Sequence, residues 1–350
     1  MTEKSYGGNN GVREHTNKPV TKVKVNSNKN MKIKSAKKLS ELESSENKFS
    51  DSTNSLKGFA DYKKAGEISI KVKEFARQLI KPNMPLVEIA QKIEKEIIRL
   101  GAQPAFPVNL SIDEIAAHYH PTLEDETIET GLLKIDIGIH INGFIADSAF
   151  SIDLTSNNKY KELIKASEEA LENALKLLDK NPTLSEIGET IQKTISNKGF
   201  TPVINLSGHA LDQYEIHAGI TIPNSANNNI KILETGAYAI EPFATTGEGR
   251  VIDGPPSNIY KIINPKTPRS PTARAILEYI WEKNQTLPFS MRELQEKFGN
   301  IARLAIRELE QNNIIHNYPQ LIEISRKPVS QAEHTFIKTP EGKIIITTKN

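Results

Sequence analysis

Cysteine is absent from all 350 residues. That excludes disulfides, thiolate metal sites and cysteine nucleophiles, so any bound metal must be held by oxygen and imidazole nitrogen. Aromatic residues make up only 6%, with a single tryptophan. No apolar run approaches the roughly 20 residues that a bilayer crossing needs. The N-terminus carries no apolar segment of the secretory type. A cytoplasmic protein without a membrane partner is expected. Excess charge of one sign is also lacking: the formal net charge is +2, too small to imply a polyanionic partner by itself. What is present is 37% apolar residues, enough for a real core in one large domain or two ordinary ones.

The charge is unevenly placed. Residues 1–40 carry ten Lys and Arg against Glu3 and Glu14, a local excess of +8. Residues 1–53 are rich in Asn, Ser, Lys and Gly, with no sustained apolar period. They read as a disordered basic tail. It has two readings, a solubilising leader or an arm for transient ribosome association, and composition favours the first.

Order is predicted to begin near Ser55. Asp61 to Ile80 reads as a helix, and Leu86 to Leu100 as a stronger one, with Leu86, Ile89, Ala90, Ile93 and Ile97 on one stripe. Gly101 supplies its stop. A second pair follows, Tyr160 to Leu178 and Leu184 to Lys198, ending at Gly199. An offset of 98 residues, from Leu86 to Leu184, also relates Gly101 to Gly199, Pro104 to Pro202 and Tyr62 to Tyr160. This is the mark of a duplicated α+β unit, and it places a site between the halves. Strands are expected over 202–222 and 236–246, with a hairpin over 331–350 turning at Thr339-Pro340-Glu341-Gly342.

Between 269 and 327 the pattern becomes helical. Ser270-Pro271 is a cap with a first-turn proline, and Ser290 and Glu293 have capping-box spacing. Three short helices and the strand-like Leu321 to Ile324 resemble a winged helix. The segment shows no dense basic helix, so a structural insertion is favoured over DNA binding. No sequence-specific DNA partner is expected.

The most informative stretch runs from Lys134 to Asp147 around Asn142-Gly143, a strong hairpin signal. With those two residues as the turn, Asp147 faces Gly138 and Asp136 faces Ala149. Alternation then puts Asp136 and Asp147 on one face as diagonal neighbours, with Gly138 leaving open space between them. Two solvated acids on a wet sheet face would look the same. Three further segments place a ligand-type residue within an apolar strand: His209, followed by His217; Glu241; and Glu333. Together Asp136, Asp147, His209, Glu241 and Glu333 offer four carboxylates and one imidazole. Hard oxygen donors of this kind suit Mn, Fe(II), Co or Zn. Two divalent ions would balance the four negative charges and equip the site for peptide hydrolysis.

The order and strand context of these five residues resemble the pita-bread metallopeptidases of the creatinase and aminopeptidase fold. Pro104-Ala105-Phe106-Pro107-Val108-Asn109-Leu110 and Ala116-Ala117-His118-Tyr119 are similar to methionine aminopeptidases, and the helical segment before Glu333 resembles their type 2 branch. The likeness covers residues 55–350. The tail lacks the alternating polybasic and polyacidic blocks of the eukaryotic enzymes, so the chain resembles archaeal members. The resemblance implies an α+β pita-bread catalytic domain over 54–268 and 328–350, with 269–327 as a winged-helix-like insertion. It implies two divalent ions, shared by Asp147 and Glu333, with Asp136 completing one and His209 and Glu241 the other. It implies catalytic roles for His118, His217 and Glu241, a methionine pocket walled by Phe106 and Ile216, and the N-termini of nascent polypeptides as substrate. A monomer is expected. The alternatives are an Xaa-Pro aminopeptidase or prolidase, and a non-catalytic ribosome- or RNA-binding protein on the same fold.

Overall fold

The computed structural model describes residues 56–128, 130–264 and 266–349. The tail expected over residues 1–53 lies outside them. Helices α1 (Phe59–Leu79) and α2 (Leu86–Arg99) precede strands β1 (Gln103–Pro104), β2 (Asn109–Ile112) and β3 (Ile115–Ala117) and the long pair β4 (Leu132–Ile141) and β5 (Phe144–Asp153). Helices α3 (Lys161–Leu177) and α4 (Leu184–Asn197) then lead into β6 (Thr201–Pro202), β7 (Ser207–Leu211), β8 (Thr221–Pro223), β9 (Gly236–Ile240) and β10 (Phe243–Thr245). The chain continues through β11 (Val251–Ile262), α5 (Pro271–Asn284), β12 (Phe289–Ser290), α6 (Met291–Phe298), α7 (Ile301–Gln311) and β13 (Ile315–Glu323). Strands β14 (Val329–Gln331), β15 (His334–Lys338) and β16 (Ile344–Ile346) follow. The predicted helices lie within two residues of these bounds, the usual uncertainty of a fraying end.

The duplication is structural. Helices α2 and α4, and strands β1 and β6, are each displaced by the 98 residues seen in the sequence. Gly101 and Gly199 both hold positive φ after their helices, at 84° and 81°, and Asn83 and Asn181 do so before them, at 67° and 53°. Only residues that tolerate the left-handed region can close a helix this way. In the first half, the apolar stripe of α2 and one face of α1 bury against Ile135, Ile137 and Ile139 of β4. In the second, α3 and α4 bury against Ala210, Tyr238, Ile240 and Phe336. Thr183 caps α4 with a complete capping box, its side chain accepting from Glu186 N–H while Glu186 accepts from Thr183.

The β4–β5 hairpin has the predicted register: Ile141 pairs with Phe144, Gly138 with Asp147, and Asp136 with Ala149. Strand β2 adds to the other side of β4, setting Asn109 opposite Asp136. In the second half β7, β9 and β15 run side by side, pairing His209 with Ala239 and His334 with Ile240. Two contacts join this sheet to the hairpin. Glu333 N–H donates to Ala149 O at 3.0 Å, and Thr335 Oγ1 meets both Asp147 N–H and Asp147 O at 2.8 Å. The face that carries Asp136 and Asp147 is therefore covered by the other half, against the alternative of two solvated acids.

Helices α5, α6 and α7 share a core of their own with Tyr260, Phe289 and Ile315. Their sheet has the order β12-β11-β13-β3, so it continues into β11 and β3, outside the helical segment. Strand β11 was not expected from the sequence. Ser270 caps α5 as predicted, accepting from Ala273 N–H. At α6 only half of the expected box forms: Ser290 accepts from Glu293 N–H, while the Glu293 carboxylate takes Tyr279 Oη–H and Lys283 instead.

Candidate metal centre and active site

All nine residues singled out in the sequence line one cavity of about 340 Å³: Phe106, His118, Asp136, Asp147, His209, Ile216, His217, Glu241 and Glu333. Each of the four acids and His209 is delivered by a strand or strand end that an apolar core fixes. Asp136 and Asp147 come from the hairpin, His209 from β7, Glu241 from the residue after β9, and Glu333 from the residue before β15.

The ligand-type atoms converge. One such atom from each of Asp147, His209 and Glu333 lies within 4.8 Å of the others. His209 Nε2 is 3.7 Å from Asp147 Oδ2 and 3.9 Å from Glu241 Oε1. His209 Nδ1 donates to Ala210 O at 3.4 Å, which leaves Nε2 with its lone pair toward the acids. Burial holds the imidazole near a pKa of about 4, so it is neutral at physiological pH and could serve as a ligand.

The carboxylates are costly where they are. Asp147 and Glu333 are almost fully buried. Asp136 Oδ1, Asp147 Oδ1 and Glu333 Oε2 are enclosed with no hydrogen-bond partner. Burial first, then repulsion from neighbouring carboxylates (Asp136 and Glu241 on Asp147; Asp147, Glu241 and Asp136 on Glu333), pushes both well above the usual carboxylate range. Burial and repulsion from Asp136 do the same to Glu241, and burial raises Asp136 to about 7. A fold that assembles four such groups needs a compensating charge, because buried polar atoms are otherwise paired. Orphaned oxygens, a neutral imidazole and no thiol are the donor set of hard divalent cations, and the residues fit them.

The histidines differ in setting. His118 sits at φ 65° and donates from Nδ1 to Pro319 O at 3.1 Å, so Nε2 remains available. Its ring packs edge-on against Tyr318, with centroids 5.4 Å apart. His217 is exposed at the rim and meets the His209 ring edge-on at 4.6 Å. The space expected beside Gly138 is filled: a Cβ there would lie 2.1 Å from Phe106 Cε1. Sequence reasoning missed Tyr318, Asn109, Leu321 and Pro288, which also line the cavity. It also missed Gln331, whose amide donates to Glu241 Oε2 at 3.4 Å. The only sequence signal was that Asn109 lies within the Pro104–Leu110 segment already noted.

Residues 60–339 match the pattern of metallopeptidase family M24. The chain belongs to that family. A methionine aminopeptidase of Pyrococcus abyssi is 45% identical over 291 residues, spanning 81% of this chain and 97% of that protein. Solved structures share the fold. A thermophilic Arx1 superposes with a TM-score of 0.72 at 19% identity, covering 84% of this chain and 91% of its own. A methionine aminopeptidase from Thermotoga maritima gives 0.59 at 20% identity, over 83% and 98%. The architecture is thus the M24 pita-bread fold, and the buried acids lie in a metallopeptidase. Among the described residues, no helix is long and apolar enough to cross a membrane.

Proposed function

We propose that this M24 member removes the N-terminal methionine from nascent proteins and peptides whose second residue is small. The observation that carries the reading is the coincidence of a buried four-carboxylate, one-imidazole cluster with an apolar-walled cavity, in a chain 45% identical to a methionine aminopeptidase. We further assign it to the type 2 branch, because of the helical segment 269–327 that precedes Glu333, and regard 54–268 with 328–350 as the catalytic domain. Cytoplasmic action as a monomer accords with this reading.

Asp136, Asp147, His209, Glu241 and Glu333 would hold two divalent ions, with Asp147 and Glu333 shared between them. Bound there, such ions supply Lewis-acid polarisation of the scissile carbonyl and a hydroxide near neutral pH. Mn, Fe(II), Co and Zn all suit this donor set.

The chain's own groups do the rest. Glu241, with Gln331 holding one of its oxygens, takes the proton of the attacking water and returns it to the leaving amine. His217, at the cavity rim, hydrogen-bonds the carbonyl oxygen as negative charge builds there. His118 offers Nε2 to the N–H groups of the substrate amine side. Phe106 and Ile216, both buried, wall the methionine side chain, where each methylene is worth roughly 1–3 kcal/mol of discrimination. Crowding at the mouth rejects a bulky second residue.

A peptide panel tests this. With Mn(II), Fe(II), Co(II) or Zn(II) added, Met-Ala-Ser should lose methionine, while Met-Leu-Ser and Xaa-Pro peptides should remain intact. Preferential cleavage of the Xaa-Pro peptides would reject the reading.

A further inference from the structure

We propose that Arg292 is a positioning residue for His118, acting through His120; the role given to His118 rests on the activity proposed above. Arg292 lies on α6 and is 2% exposed. Its Nη2 donates to both carboxylate oxygens of Glu94, on α2, at 2.7 Å each. Its Nε and Nη2 also lie 3.3 and 3.2 Å from His120 Nε2. His120 is itself buried and donates from Nδ1 to Val108 O at 2.8 Å. That fixes the tautomer and leaves the Nε2 lone pair facing the guanidinium. Val108 N–H reaches Glu94 Oε1 at 3.4 Å. One buried cation thus ties together α2, the segment around Val108, His120 and the helical segment.

His118 stands two residues before this anchor in a left-handed conformation, φ 65°. A non-glycine residue stays there only when its surroundings over-determine it. Before it, Ala117 pairs with Leu321 of β13. After it, Tyr119 O accepts from Leu110 N–H at 2.7 Å, and His120 is held by Arg292. Its ring is aimed by Pro319 O, also from β13. Backbone and ring are therefore both set by the segment that carries Arg292. Without the guanidinium, His120 Nε2 has no donor, the anchor loosens and His118 relaxes toward ordinary backbone angles.

Three variants separate positioning from bulk stability. His120→Leu cuts the link but leaves the Arg292–Glu94 pair. Arg292→Met cuts it and strands the Glu94 charge; adding Glu94→Met removes that charge. The readouts are Tm, kcat and KM on Met-Ala-Ser at saturating Mn(II), and the His118 Nδ1–H signal by NMR in the metal-free protein. We expect His120→Leu and Arg292→Met each to lower kcat at least tenfold, with a smaller change in KM, and to broaden or shift the His118 signal. The double variant should regain Tm over Arg292→Met without regaining kcat or the signal. An unchanged His118 signal in His120→Leu, a kcat within twofold of the parent, or kcat recovering together with Tm in the double variant would overturn the proposal. If the parent protein releases no methionine, the proposed activity fails on its own, and the His118 signal still decides the positioning.

Discussion

Gly138 and Phe106 occupy one space: a methyl group on Gly138 would sit 2.1 Å from Phe106 Cε1. The glycine lies directly opposite Asp147 in the hairpin, so the same position sets the aromatic wall and the floor of the cavity. Gly138→Ala should push the Phe106 ring into the cavity. KM for Met-Ala-Ser is expected to rise about tenfold or more, the scale on which one misplaced apolar contact acts. Affinity for Mn(II) should stay within about threefold, since no ligand atom moves. Calorimetric titration beside steady-state kinetics checks both. A parallel loss of metal affinity would show that the ring and the acids are not separable.

Asp147 is pushed upward by burial and by Asp136 and Glu241, and this has a sign that can be measured. Its folded pKa lies above the unfolded value of about 3.9. Between those values the native state binds more protons than the unfolded one, so stability falls as pH rises. In metal-free protein Asp147→Asn should therefore gain more Tm over the parent at pH 8 than at pH 5. The buried histidines, common to both proteins, largely cancel in the difference. With metal the order reverses, because the variant loses a ligand: affinity should fall about 100-fold or more, and catalysis with it. Thermal scans at pH 5 and pH 8, with and without Mn(II), provide the check. A difference independent of pH would contradict the account of the acids.

Thr183 and Glu186 complete a capping box at the start of α4, and neither lines the cavity. Thr183→Ala should cost about 1 kcal/mol, read as a Tm lower by about 2 °C in a chain of this size. kcat and KM should not change. A kinetic effect would mean that the second helix pair is coupled to the site.

Much of this was legible in the sequence because local rules decided it. Asn142-Gly143 fixed the hairpin, and with side-chain period 2 that fixed which face holds Asp136 and Asp147. The apolar stripes of α2 and α4 fixed the helices and exposed the 98-residue repeat. Acids inside otherwise apolar strands marked the residues that the fold gathers in one cavity. What stayed hidden was non-local. Strand β11 contains Gly254-Pro255-Pro256, which by sequence argues against a strand. It is tolerated because the ladder to β13 shifts register between Asp253 and Pro256 and again before Tyr260. The burial of the hairpin's acid face depends on Glu333 and Thr335, almost 200 residues away in the chain. The Gly138 gap is filled from Phe106, and Arg292 meets His120 across 172 positions. No periodicity reports such contacts.

The central claim is that the buried acids work as a divalent-metal centre for methionine removal. Its most direct test is the initial rate of methionine release from Met-Ala-Ser as Mn(II) is added to metal-free protein. The account predicts no release without metal, a rise that saturates with added metal, and loss of the response in Asp147→Asn. Release that needs no metal, or none with any divalent ion while the acids bind it, would contradict the account.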